Sequence, residues 1–351
     1  MMRQVQIADR TIGEGFPPFI VAEVGINHNG ELEKAFQMIT VAKEAGVDAV
    51  KFQTFKAEEF VGNKEQMFTY KSQGEEVTES MLEMFQRYEF SREEWKAIKQ
   101  KCDEEGILFL STPQNKSDLD LLMELGIPAI KVGSDDFTNL PLLQSYSETG
   151  LPMIISCGMS DLAEVYQSLN TIGAFEGYPV ILLLCTSQYP TPSEDVNLLK
   201  IKTLAQAFPM VPIGFSDHSQ GTLASSLAVA LEASFFEKHF TLDHNLPGPD
   251  HWFSEDIEGI QSWTQQIRLS YTMMGSPIVR PTPQELDMRT LARRSIVALR
   301  DIRANEKLTD ENVGLRRPGN GLPPHLLGTV VGRKSLVEIP KGSLLGWGDF
   351  K

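Results

Sequence analysis

The chain has 351 residues, of which 41% are hydrophobic and 23% charged, and a formal net charge of −15. A composition this close to ordinary soluble usage excludes a disordered, collagen-like or disulfide-scaffold protein, and the length suits one large domain or a large one with a small one. The acidic balance, with no cluster of Lys and Arg able to track a phosphate backbone, argues against nucleic-acid binding.

Met1 to Pro18 carries no basic patch joined to an apolar run, and no later apolar stretch is long enough to span a bilayer. The three cysteines, Cys102, Cys157 and Cys185, form no close pair and no zinc-like spacing, which predicts reduced thiols. The expectation is a folded cytoplasmic enzyme that engages neither nucleic acid nor membrane.

In chain order, short Val- and Ile-rich runs alternate with stretches of helical period, the pattern of a parallel sheet with helical crossovers. The strands predicted are Phe19 to Val24, Ala49 to Gln53, Leu108 to Ser111, Ala129 to Gly133, Met153 to Ser156, Val180 to Cys185, Ile213 to Ser216 and Ser234 to His239. Helices fit at Glu31 to Ala45, Lys116 to Leu125, Pro141 to Thr149, Leu162 to Ile172, Leu198 to Phe208, Thr222 to Leu231 and Ile257 to Met274. Eight such repeats make a (β/α)8 TIM barrel, a fold that takes ~250 residues. The stretch from Lys56 to Arg92 reads as a long, polar, irregular excursion, a lid or specificity loop if it belongs to the active-site face and a tolerated surface loop otherwise.

The barrel is expected over residues 1–275, and the proline-rich stretch 276–292 reads as a linker. Residues 293–351 read as a small, mostly β domain, with apolar runs at Ser295 to Leu299, Val330 to Val331 and Leu336 to Ile339 between turn residues.

Two strands echo each other and each ends in a lysine: Gly46 to Lys51 and Gly126 to Lys131. A buried ammonium is costly unless an anion meets it. Paired lysines beside Thr112, Ser134, Ser156 and Ser216 suit a phosphate and a carboxylate; a Schiff-base lysine is the competing role, and pairing with a structural carboxylate the plain one. His218 and His239 follow consecutive strands, where two imidazoles at matching heights can reach one transition-metal ion, or else simply hydrogen-bond at the rim. Glu237 lies two residues before His239 and so on the same strand face, and Glu23 ends the first strand. Asn27 to Gly30 reads equally as a turn and as a polar contact, and Asp250 stands in a turn-rich stretch over the rim.

Together these segments resemble the sialic acid synthase family: AEVGINHNG from Ala22, AVKFQTF from Ala49, FLSTP from Phe109, IKVGS from Ile130, CTSQYPTP from Cys185, GFSDHS from Gly214, EKHFT from Glu237 and PGPDH from Pro247. RRPGNG from Arg316 looks like the signature turn of that family's C-terminal antifreeze-like (SAF) domain. The resemblance implies condensation of phosphoenolpyruvate with an N-acetylated hexosamine by a homodimer with swapped C-terminal domains, the acceptor being N-acetylmannosamine by default, giving N-acetylneuraminic acid, and a 2,4-diacetamido-6-deoxyhexose, giving legionaminic or pseudaminic acid, as the alternative. It implies phosphoenolpyruvate on Lys51, Thr112, Lys131, Ser134, Ser156 and Ser216, with Gln53 near the sugar or metal. It implies a divalent ion, manganese before magnesium or cobalt, on His218 and His239, with Glu23, Glu237, Tyr189 and Asp250 serving the sugar and the proton transfers. Arg317 would reach the amino-sugar substituent from the other subunit. One stretch departs from the family pattern, since Ser187 and Gln188 follow Thr186 where asparagine is expected, and a serine's reach to the phosphate is shorter.

Overall fold

A computed structural model describes residues 3–351 and divides the chain into two compact units, Met1–Gly275 and Ser276–Lys351. The first unit opens with a hairpin, β1 (Gln4–Ile7) and β2 (Arg10–Gly13), absent from the expectation above. Its pairs turn on Ala8 and Asp9 and are too short for a periodic signal to stand out.

Eight strands then form one sheet: β3 (Phe19–Gly25), β4 (Ala49–Thr54), β7 (Leu108–Pro113), β8 (Ile130–Val132), β9 (Met153–Ser156), β10 (Val180–Cys185), β11 (Ile213–Ser216) and β12 (Phe235–His239). Every ladder is parallel, in the order β7-β4-β3-β12-β11-β10-β9-β8, and β7 and β8 lie side by side to make a nearly closed TIM-type barrel. The expected strands all appear, with ends moved by a residue or two.

Alternation along each strand sorts the core into two shells. Ile20, Ala22, Val50, Phe52, Leu182 and Phe236 face outward to the helices. Phe19, Val21, Ala49, Leu110, Ile181 and Phe235 face inward, where Val5, Ile7 and Ile12 of the hairpin pack with them and stopper the N-terminal end. Asp48 braces that end: its carboxylate accepts from Ile20 N (2.8 Å), Arg10 (2.6 Å) and Arg268 (2.9 Å).

The helices between strands are α1 (Leu32–Glu44), α2 (Ala57–Phe60), α3 (Met81–Tyr88), α4 (Arg92–Glu105), α5 (Lys116–Leu125), α6 (Leu140–Ser147), α7 (Leu162–Thr171), α8 (Ser193–Val196), α9 (Lys200–Ala207), α10 (Leu223–Ala230) and α11 (Ile257–Met274). The excursion 56–92 is not irregular. It holds α2, the antiparallel hairpin β5 (Met67–Ser72) and β6 (Glu75–Ser80), and α3. Gln73 and Gly74 turn this hairpin with φ of 51° and 87°, the positive pair that a tight two-residue turn requires. Helix α4 carries its own start signal, a capping box of Ser91 with Glu94, and buries Trp95, Ile98 and Cys102.

In the second unit, residues 283–292 form α12 (Pro283–Ala292), started by a Thr282–Glu285 capping box inside the stretch expected to be a linker. The strands β13 (Ser295–Ala298) and β14 (Val313–Arg316) pair antiparallel, and isolated bridges such as Ile302 with Ile339 tie the rest. Val330 ends a short helix, α13 (Leu327–Val330), rather than a strand, and Leu336 to Ile339 contributes a single bridge. Ile296, Ile302, Leu308, Val313, Val330 and Phe350 share its small core. Among the described residues, no helix is long and apolar enough to cross a membrane.

Candidate active site

The inward face of the barrel changes chemistry near its C-terminal end. The alternation that turns Phe19 and Val21 inward brings Glu23 inward next, and likewise Lys51 and Gln53 follow Ala49, Thr112 follows Leu110, and Glu237 and His239 follow Phe235. These side chains open into a cavity of about 610 Å³. It is lined by every expected barrel residue: Glu23, Lys51, Gln53, Thr112, Lys131, Ser134, Ser156, Ser187, Tyr189, Ser216, His218, Glu237, His239 and Asp250. Arg317 lies in the second unit, exposed in the turn after β14.

Four buried charges hold the floor. Lys51 Nζ meets Glu23 Oε2 at 2.7 Å, and both Lys51 and Lys131 stand 3.7 Å from Glu237 Oε1. Lys131 Nζ donates to Ser156 Oγ (2.8 Å) and to Val132 O (3.0 Å), while Lys51 reaches Thr112 Oγ1 at 3.3 Å. The plain carboxylate pairing is therefore present, but as a network inside the cavity. Lys238 takes no part in this network and points outward to Asp217 (3.1 Å) and Glu255 (3.7 Å).

The environments separate like groups. Burial, reinforced by the Glu237 charge, pushes the Glu23 carboxyl up to about 7 against the pull of Lys51. Glu237 is just as buried, yet Lys131 and Lys51 hold its carboxyl below the usual range. Among the lysines, burial lowers Lys131, whereas Glu23 and Glu237 outweigh burial and raise Lys51. Carboxyl groups driven apart in this way suit one proton donor and one standing charge.

His218 and His239 stand together, ring centroids 5.4 Å apart. His218 Nδ1 donates to Thr186 O at 2.8 Å, which leaves Nε2 as the free acceptor, the tautomer a metal-binding imidazole needs. His239 Nδ1 is buried with no hydrogen-bond partner, and Asp250 Oδ2 lies 3.7 Å from it. Burial pushes the Asp250 carboxyl up to about 6. Among the described residues, no three His, Cys, Asp or Glu side chains gather as a complete metal cage. Two imidazoles with an orphaned nitrogen fit a cation whose remaining positions go to substrate and water. Tyr189 covers the pair, its ring centroid 4.2 Å from that of His218.

Ser187, where the family pattern departs, has its hydroxyl buried and without a partner at the cavity wall. Gly158 donates its N–H to Ser134 Oγ (3.0 Å), and a Cβ there would come within 2.7 Å of Ser134 Oγ and 2.5 Å of Ser187 Oγ. The missing side chain lets the two hydroxyls converge.

Other residues of the site were not legible beforehand. Trp252 and Phe253 line the cavity, as do Gln114 and Asp135. Phe60, Phe68, Tyr70 and Phe85 bring the excursion 56–92 to its wall, so that segment does face the site. Its hairpin is pinned to the segment after β12 by Gly248 N donating to Ser72 Oγ (3.0 Å) and by Gln73 Nε2 donating to Asn245 O (2.8 Å). Asn27 to Gly30 serves as the turn: Asn27 donates to Phe240 O (2.8 Å), His28 Nδ1 accepts from Gly30 N (3.0 Å), and burial pushes His28 down to about 3. Cys185 also lines the cavity, with Sγ 3.8 Å from His218 Nδ1, and Cys157 is an inert thiol that burial raises to about 12.

Residues 38–279 match the NeuB family, and residues 293–351 match the SAF domain. An N,N'-diacetyllegionaminic acid synthase of Legionella pneumophila is 39% identical over 339 residues, 95% of each chain. The N-acetylneuraminate-9-phosphate synthase of Homo sapiens is 35% identical over 338 residues, 94% of this chain and 92% of its own. The solved N-acetylneuraminic acid (sialic acid) synthetase of Leptospira borgpetersenii superposes with a TM-score of 0.73 at 32% identity, over 82% of this chain and 95% of that one. On sequence and fold alike, the chain belongs to the NeuB family and carries a SAF domain at its C-terminal side.

Proposed function

We propose that this protein condenses phosphoenolpyruvate with the open-chain aldehyde of an N-acetylated hexosamine, releasing inorganic phosphate and a nine-carbon 2-keto-3-deoxy sugar acid. One observation carries the reading: a single cavity collects two buried lysines, two carboxyls of opposite tendency and two histidines. The relatives, synthases of this class of sugar acid, support it.

The floor is neutral as it stands, because two lysines cancel two glutamates. A phosphate and a carboxylate entering it call for added positive charge, which protonation of Glu23 and a cation on His218 and His239 would provide. A divalent ion held there, manganese by preference and otherwise magnesium or cobalt, supplies Lewis-acid polarisation of the aldehyde oxygen. Lys51, Lys131, Thr112, Ser134, Ser156, Ser187 and Ser216 bind and orient the phosphate and carboxylate of phosphoenolpyruvate. Its C3 bonds to the aldehyde carbon, the aldehyde oxygen takes a proton, and the C2 cation captures water. The tetrahedral hemiketal phosphate then collapses by C–O cleavage, the electron pair leaving with phosphate. Glu23, at about 7, moves the water's proton, while ionised Glu237 steadies the C2 cation. Gln53, Tyr189 and Asp250 position the sugar.

Two acceptors suit this chemistry. N-acetylmannosamine gives N-acetylneuraminic acid, and a 2,4-diacetamido-6-deoxyhexose gives legionaminic or pseudaminic acid. Arg317, delivered from a second copy in a swapped homodimer, serves the amino-sugar substituent. Three free buried thiols agree with a cytoplasmic setting. A phosphate-release assay with phosphoenolpyruvate and manganese against a panel of N-acetylated hexoses tests the reading. Phosphate formation that requires a sugar is the expected result; no release with any acceptor, or borohydride trapping of Lys131 as a Schiff-base adduct, would sink it.

A further inference from the structure

The condensation uses only part of the cavity. Gln114 follows the last residue of β7, and its N–H donates to Thr54 O at 3.1 Å, which seats it beside the end of β4 and next to Phe55. Phe55 and Phe60 both meet Phe85 edge to face, at 5.2 Å and 4.9 Å between centroids. All four residues line the cavity, and Gln114 Oε1 is buried with no hydrogen-bond partner. Buried polar atoms are nearly always satisfied, so an amide oxygen left open in a cavity wall marks a place where a ligand completes it.

The chemistry of the missing donor follows from its surroundings. An unpaired amide in a cavity wall that also carries phenyl rings fits a group that is apolar except for one N–H: an acylamino substituent, its N–H donating to Gln114 and its methyl against the rings. With the amide turned over, its NH2 would donate to the acyl carbonyl, so the seat fits a secondary amide either way. A bare hydroxyl would leave the rings unused.

The position says which substituent. In the strand order β7-β4-β3-β12-β11-β10-β9-β8, with β8 returning beside β7, β7 stands half a circuit from β11. Gln114 therefore faces His218 across the mouth. A sugar whose aldehyde lies by the histidines presents its far end, C4 to C6, to this wall.

We propose that Gln114, backed by Phe55, Phe60 and Phe85, seats an acylamino group at the far end of the acceptor, and that the preferred acceptor is a hexose with two acylamino groups and a 6-deoxy terminus. This rests on the condensation reading above. The apolar rings accept the 6-methyl group as well, whereas a hydroxyl or phosphate at that carbon would be desolvated against them.

The test measures kcat/KM by phosphate release for the full chain and for Gln114→Leu, with N-acetylmannosamine, its 6-phosphate and a 2,4-diacetamido-6-deoxyhexose as acceptors. The parent should favour the diacetamido sugar by about tenfold or more, and Gln114→Leu should cut that preference by about 3- to 10-fold, chiefly through KM, the usual consequence of one lost hydrogen bond. Gln114→Met, nearer in shape, repeats the comparison if the leucine variant melts early. Loss in equal proportion for both unphosphorylated sugars, or a parent preference for the 6-phosphate, removes the seat and leaves the condensation standing. No phosphate with any acceptor overturns both.

Discussion

Gly158→Ala offers the sharpest probe of the anion cradle, because it adds one methyl group and no charge. The new Cβ would sit 2.5 Å from Ser187 Oγ and 2.7 Å from Ser134 Oγ, closer than van der Waals contact allows, so both hydroxyls must swing away. The two nearest obstacles are hydroxyl ends that can rotate, while Ser134 Cβ at 3.0 Å must give by a few tenths of an ångström, so the melting temperature should fall by about 4 °C, the equivalent of about 1 kcal/mol. What is lost is the convergence of two donors on an anion. A hydrogen bond to a charged group contributes about 1.5–3 kcal/mol, and displacing one of the two raises KM for phosphoenolpyruvate about 10- to 100-fold. Initial rates of phosphate release at saturating sugar and varied phosphoenolpyruvate, with a melt of the same sample, measure both quantities. A KM within twofold of the parent, or a rise confined to the sugar, would refute the reasoning that these hydroxyls hold the phosphate or carboxylate.

His239→Ala should leave the barrel folded and reduce turnover by more than about a hundredfold at any metal concentration, the scale of losing Lewis-acid assistance. Calorimetric titration with manganese should show the binding isotherm vanish; unchanged binding, or full activity in metal-free buffer, contradicts the ligand assignment. Arg317→Ala should raise KM for the sugar well above its effect on phosphoenolpyruvate, and the reverse pattern would remove that contact.

Much of the site was legible because strand alternation is a local rule. Once Ala49 to Gln53 reads as a strand with Ala49 inside, Lys51 and Gln53 must be inside too, and the same holds for Glu237 and His239. Helix α4 was equally readable, with Ser91 and Glu94 at its start and Trp95, Ile98 and Cys102 on one face, yet the expected helices pass from Ala45 to Lys116 without it. The hairpin of β5 and β6 was harder. Its Gln-Gly turn lacks the usual Asn-Gly or Asp-Gly signal, and its strands are largely exposed, so no apolar alternation announces it.

The chain's own order of residues determined the strand positions, the register of each inward face and the set of groups that reach the mouth, since those depend on neighbours one to four residues apart. Contacts between distant segments decided the rest. Lys51 found Glu23 and Glu237 because β3, β4 and β12 are adjacent in the closed sheet, and the N-terminal hairpin became a stopper because the barrel offered it an apolar end. Gly158 matters only because Ser134 and Ser187, from neighbouring loops, meet over it. Gln114 gains its meaning from phenyl rings that the excursion 56–92 folds back against the mouth. Such pairings depend on how closure brings remote strands side by side, a property of the assembled barrel that no local pattern encodes.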